Sequence, residues 1–188
     1  LLAGHDTTAL TLTYAWWLVA DNPAVERKFH EEVDALDGPP TADDLAGLDY
    51  VEKIVTEAMR LYPPAYVVYR EATADDELAG FRIPEGSVVS TPQWVVHRDR
   101  RWFDDPEAFR PGRWTDEFRR DLPAFAYFPF GGGPRKCIGD GFAMREAKLI
   151  LATLGRRYEL DRVTDEIDLV PLVTLHPDGP VEMRASER

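Results

Sequence analysis

The sequence predicts a mainly α fold carrying small antiparallel β-sheets. Two observations lead there. Four long stretches space their apolar residues as helices do, and together they fill most of the first third and the region after residue 139. Between and after them lie short β-branched and aromatic runs bounded by glycine and proline, too short for anything but small sheets. No internal repeat, low-complexity tract or linker interrupts the 188 residues.

The elements follow in order. Residues 1–20, LLAGHDTTALTLTYAWWLVA, are apolar nearly all round, the mark of a buried helix. Asn22 is placed to cap the next helix, and Pro23 suits its first position. That helix should run to about Leu36, with Val25, Phe29, Val33 and Leu36 on one face, until GPP at 38–40 breaks it. Thr41 with Asp44 three residues on resembles a capping box for a short helix. Val51, Ile54, Val55, Ala58 and Leu61 recur at helical spacing, and Pro63 and Pro64 end that helix. AYVVYREA reads as a strand, and GFRIPEGSVVSTP as a hairpin turning at PEG. Residues 97–125 mix Arg, Asp, Pro and aromatics without a period and are expected to be an irregular but ordered loop. GFAMREAKLILATLGRRYEL reads as a helix, and PLVTLHPDGPVEMRA as a hairpin around PDG.

Composition narrows the function. The net charge of −12 argues against a general nucleic-acid surface. No apolar run is long enough to span a bilayer, and the start shows no signal or transit pattern, so a cytoplasmic location is expected. One cysteine among four histidines does not make a structural zinc cluster and forms no internal disulfide. The chain opens at Leu1 directly into an apolar helical pattern with no cap before it, so it is expected to be the C-terminal part of a longer protein.

The single cysteine, Cys137, follows FGGGPRK. Glycines let a backbone take unusual dihedrals and approach a flat ligand closely. Arg135, Lys136 and the N-terminus of the following helix all favour negative charge on the sulfur. A buried structural cysteine would leave these glycines and cations unexplained. A cysteine nucleophile needs a histidine base, for which His97 and His176 are the candidates, without a local signature. The third reading is an axial thiolate ligand to haem iron.

The segment from Phe130 to Gly139 resembles the cysteine signature of the cytochrome P-450 monooxygenases, F-x-x-G-x-R-x-C-x-G. Phe130, Gly133, Arg135, Cys137 and Gly139 stand at its fixed positions. Three more segments are similar to the family, in family order. EAMR puts Glu57 and Arg60 three apart in a helix ending LYPP. FRPGRW supplies Arg113 as the third member of that charged group, with Gly112 where the usual motif has glutamate. AGHDTT, Ala3 to Thr8, resembles the oxygen-activation segment of the long central helix.

The resemblance implies that residues 1–188 are the C-terminal part of a single cytochrome P-450 domain whose N-terminal half is absent. It implies haem b (iron-protoporphyrin IX) with Cys137 as the iron ligand. Arg135 and, in YREA, Arg70 would meet haem propionates, Phe130 would lie near the sulfur, and Gly133 and Gly139 would shape the loop. Ala3 and Gly4 would let the helix approach the haem. Thr7 would hydrogen-bond bound oxygen, and Asp6 would deliver protons. Glu57, Arg60 and Arg113 would be structural, as would His97. The implied reaction inserts one atom of dioxygen into a small organic substrate that Ala65 to Val68 would touch, with electrons from a separate ferredoxin or flavoprotein. Arg119, Arg120, Arg135, Lys136, Arg145 and Lys148 would offer that partner a basic patch. The alternatives are a peroxide-driven haem-thiolate enzyme, disfavoured by the retained Asp6-Thr7 pair, an inactive truncated fragment, and a thiol hydrolase.

Overall fold

A computed structural model describes residues 2–188, with side chains from Gly4 onward. The architecture is mainly helical with four two-stranded antiparallel sheets, as expected. Helix α1 (Leu2–Ala20) is the central element. It packs on α3 (Asp49–Leu61) and α6 (Asp140–Gly155), with α2 (Pro23–Asp34) closing the group. Tyr14, Ala15, Trp16, Trp17, Leu18 and Val19 are buried in succession, so α1 is enclosed on all sides along its second half. Its threonines are satisfied within the helix. Thr8, Thr11 and Thr13 hydroxyls donate to the carbonyls of Gly4, Thr7 and Ala9 at 3.0, 2.9 and 3.0 Å.

Helix ends show how neighbours replace local caps. Asn22 does not cap α2; its amide donates back to the Leu18 carbonyl at 2.7 Å and finishes α1 instead. The first amides of α3 are met from another helix. The Glu32 carboxylate of α2 accepts from Tyr50 N and Val51 N at 2.7 and 2.8 Å. A negative group thus sits where the helix dipole favours one. The Thr41–Asp44 box forms, on a 3-10 turn over Ala42–Ala46, with Asp44 accepting from both Thr41 N and its hydroxyl.

The sheets depart most from expectation. Strand β1 (Val68–Glu71) pairs with β4 (Val88–Thr91), and β2 (Asp76–Leu78) pairs with β3 (Phe81–Ile83). The tight hairpin is therefore β2–β3, turning at Ala79 and Gly80, both left-handed at φ 51° and 84°. The PEG turn instead connects β3 to β4 across two sheets. Helix α4 (Gln93–Val96) follows, and α5 (Asp116–Asp121) interrupts the segment expected to be irregular, its amide at Phe118 capped by the Thr115 hydroxyl at 3.1 Å. Helix α6 stops at Gly155, so RRYEL is not helical. Strand β5 (Tyr158–Arg162) pairs with β8 (Met183–Glu187). The terminal hairpin joins β6 (Leu169–Pro171) to β7 (Leu175–Pro177) around residues 172–174, not around PDG. Tyr14 and Trp17 pin this tail to α1 by donating to the carbonyls of Leu175 and Thr164, each at 2.8 Å.

Gly155 is the last residue of α6, and α2 leaves no room for a side chain there. A Cβ at this position would lie 2.2 Å from Phe29 Cζ, and Phe29 is fully buried with its edge on Trp16. Gly155→Ala is expected to destabilise the protein by about 1–3 kcal/mol despite alanine's better helix propensity. The urea midpoint reports it, with Gly38→Ala as control, because a Cβ at Gly38 meets open space.

Candidate functional site

The chemistry-bearing residues fall into three groups. The first is a charged knot around Glu57. Helix α3 buries Glu57 and Arg60 completely, three residues apart on its face. Glu57 Oε1 accepts from Arg60 Nη2 and Arg113 Nε at 2.9 Å each and from the Arg110 amide at 3.0 Å. Oε2 accepts from Arg60 Nε at 2.9 Å and Trp114 Nε1 at 2.8 Å. The remaining Arg60 protons go to the carbonyls of His97, Pro106 and Ala108 at 3.0, 2.6 and 3.1 Å. Arg113 Nη1 reaches Asp104 O at 2.7 Å. Burial lowers the Arg113 guanidinium from its ordinary value, and Glu57 opposes that shift. Sequence reasoning joined Glu57, Arg60 and Arg113; it did not find Trp114, whose only signal is its place directly after Arg113.

His97 is structural. Its Nε2 accepts from the Phe128 amide at 2.9 Å, and Gln93 of α4 donates to the Phe128 carbonyl, so this ring fixes the approach to the cysteine loop. Burial first, then the charges of Arg60 and Arg98, push its ionisation down to about 3. The unfolded chain therefore binds a proton near pH 6.5 that the folded chain refuses. The stability tied to His97 is whole above pH 6.5 and lost as pH falls toward 3. Between pH 7.5 and 5.5 the loss is about 1.4 kcal/mol from this group. Urea unfolding at the two pH values should show it, with a flatter dependence in His97→Gln.

The second group is the cysteine loop. Phe130 is half-buried against the helical core, and its carbonyl accepts from the Cys137 amide at 3.0 Å, closing the loop at its base. Gly131 and Gly133 take left-handed φ of 70° and 67°, a conformation side chains rarely adopt. At Gly132 a Cβ would lie 2.2 Å from Phe125 Cε1. These constraints present Cys137 outward, exposed, just before α6 begins at Asp140, with Gly139 at the cap. Ile138 and Phe142 beside it are exposed too. Arg135 is exposed and makes no ion pair among the described residues, whereas Lys136 is held by Asp140 at 2.5 Å. The donor set fits a thiolate-bound haem: a lone outward sulfur, an apolar surround and a free guanidinium for a carboxylate. Arg70 lies apart on β1, exposed, donating to its neighbour Tyr69 O at 2.8 Å.

The third group is the start of α1. The Ala3 side chain lies outside the described residues. Gly4 is exposed with open space where a Cβ would be, and its carbonyl accepts from the hydroxyls of Thr7 and Thr8 at 3.4 and 3.0 Å. Asp6 is tied to the distant strand β7, through Thr174 and His176. Sequence spacing holds no signal for that tie.

The expected basic patch is mostly neutralised. Lys148 is buried and paired with Glu52 at 2.9 Å, Arg119 reaches the same carboxylate at 3.7 Å, and Arg120 pairs with Asp121. Arg135 and Arg145 are the members without an ion pair among the described residues. Two open grooves, of about 410 and 390 Å³, lie off the sulfur. One runs by Met59, Phe130 and Met144, the other by Tyr66, Trp94 and Leu169. No described helix is long and apolar enough to cross a membrane.

Comparison with known proteins bears on these groups together. The family profile described as Cytochrome P450 matches residues 1–180. Cyclooctatin synthase of Streptomyces melanosporofaciens is 44% identical over 162 residues, covering 85% of this chain and 35% of that protein. Cyclooctat-9-en-7-ol 5-monooxygenase of the same organism is 38% identical over 190 residues, covering all of this chain and 41% of that protein. A crystal structure of a cytochrome P450 superposes with a TM-score of 0.91 at 31% identity, covering all of this chain and 43% of that one. The chain thus spans about two-fifths of the length of the relatives that it matches in full.

Proposed function

The chain belongs to the cytochrome P450 family, and from that premise we propose that it is the C-terminal part of a single haem-thiolate monooxygenase domain. The observation that carries the reading is the outward Cys137 thiol on a glycine loop closed by the Phe130 carbonyl. Bound haem b, with its iron on a thiolate, supplies dioxygen activation and transfer of one oxygen atom to an organic substrate.

This chain's residues take the following roles. Cys137 provides the sulfur ligand, and Gly133 and Gly139 keep side chains away from it. Phe130 flanks the sulfur. Arg135, free of other ion pairs, forks onto a haem carboxylate, and Arg70 is a second candidate for that contact. Gly4 keeps the face of α1 low. Thr7 would present a hydroxyl toward the haem side of α1, and Asp6 would hold or pass protons beside it. Glu57, Arg60 and Arg113 hold the frame. A small organic substrate is the oxygen acceptor, as the names of the Streptomyces relatives suggest, and a ferredoxin or flavoprotein supplies electrons. With Arg135 on the haem carboxylate, Arg145 is the cation of that patch left to meet the partner.

The test is an absorption spectrum of the haem-loaded, reduced protein under carbon monoxide. A strongly red-shifted Soret band is expected. A band typical of histidine ligation, or no haem uptake, would remove the reading for this chain. Peroxide-driven turnover indifferent to Thr7→Ala would replace dioxygen with peroxide as the oxidant.

A further inference from the structure

Asp6 sits at a junction made by Thr174 and His176, at the far end of the chain. Thr174 Oγ1 lies 2.7 Å from Asp6 Oδ2 and 2.7 Å from His176 Nε2, and that ring nitrogen is 3.3 Å from the same carboxylate oxygen. A hydroxyl has one proton to give, and an ionised carboxylate only accepts. Thr174 therefore donates to Asp6 and accepts from the ring. This requires a hydrogen on His176 Nε2.

The junction is held from behind. Thr174 ends the turn before β7 and His176 lies within that strand. Between them Leu175 is buried, its carbonyl accepting from Tyr14 of α1 at 2.8 Å and its amide donating to Pro64 O at 2.9 Å. Tyr14 is the other titratable group facing Asp6. Burial, the neighbouring Tyr62 and Asp6 itself raise its ionisation, so it stays a neutral donor. The His176 side chain is about one-third exposed and that of Asp6 somewhat more, so solvent reaches both ends of the chain of bonds.

We propose that Thr174 and His176 are positioning residues for Asp6 that also form its proton supply line. His176 takes a proton from water on Nδ1. Its Nε2 proton passes to the Thr174 oxygen as the hydroxyl proton passes to Asp6 Oδ2. The carboxyl group then holds the proton, and the ring is left neutral with its hydrogen on Nδ1. Loss of that proton and return of hydrogen to Nε2 resets the line. The use of this proton rests on the role proposed for Asp6.

Histidine-selective ¹⁵N NMR at alkaline pH tests the junction. The chain has four histidines, so single substitutions assign them. His176 is expected as the Nε2–H tautomer. His97, whose Nε2 accepts from Phe128, must be Nδ1–H and serves as the internal contrast. Thr174→Val removes the 2.7 Å acceptor and should shift the His176 Nε2–H resonance upfield, and Thr174→Ser should restore it. In the haem-loaded protein, the fraction of electrons that ends in product should fall roughly tenfold in Thr174→Val and recover in Thr174→Ser. An Nδ1–H His176 in the unmodified protein, or an Nε2–H resonance indifferent to Thr174→Val, overturns the proposal. The tautomer is read without haem, so this failure is separate from a failure of the monooxygenase reading.

Discussion

Glu57→Ala is expected to leave no stably folded protein. One carboxylate accepts five hydrogen bonds, from Arg60 twice, from Arg113, from the Trp114 indole and from the Arg110 amide. Removing it strands two guanidinium groups in a site where Arg60 is wholly buried and Arg113 nearly so. Breaking a buried ion pair from one side costs about 3–5 kcal/mol, because the other charge stays behind uncompensated. Here two charges and an indole N–H stay behind, against a total stability of about 5–15 kcal/mol for a typical domain. Glu57→Gln keeps one accepting oxygen but turns an NH₂ group toward the arginines, so it should fall between alanine and the native residue. Urea midpoints and near-ultraviolet circular dichroism measure both. A Glu57→Ala protein with an unchanged midpoint would show that the knot contributes no net stability.

Cys137→Ala is expected to abolish the red-shifted carbon monoxide band entirely. The chain has no other thiol to take over as ligand. Nor can His97 substitute, since its Nε2 is committed to the Phe128 amide inside the fold. The substitution removes a sulfur that is exposed and carries no packing, so the urea midpoint should stay near the native value. Loss of the band with stability retained separates ligation from folding. A band that survives the substitution would mean that iron is held elsewhere.

How much was legible before the fold was known depended on whether the cause was local. Helices α1, α2, α3 and α6 announce themselves by apolar spacing, and the knot around Glu57 is visible because three of its members stand in recognisable motifs. The first sheets were misread for want of a local signal. Strand β2, with two acidic residues, shows no alternation, and its pairing with β3 follows from left-handed residues at 79 and 80 rather than from a proline turn. Arg156 to Leu160 looks like more helix because the partner that makes a strand of it, β8, lies more than twenty residues on. The same holds for function. Cys137 lies in a contiguous signature, whereas Thr174 and His176 meet Asp6 only because Tyr14 anchors the terminal hairpin to α1.

The four sheets have a consequence for behaviour in bulk. Each is a single pair, so among the described residues all eight strands present one edge without a ladder partner. Unpaired edges are templates for strands of other molecules, and like charge is what keeps molecules apart. Asp76 and Glu77 guard β2, and Glu159 and Asp161 guard β5, but β4 carries no charge and exposes Val88. That guard depends on ionised carboxylates. Acidification toward the isoelectric point near 4.8 removes the net repulsion. Concentrated stocks should therefore begin to self-associate through strand edges on the acid side of neutrality, and light scattering should rise there before circular dichroism shows unfolding.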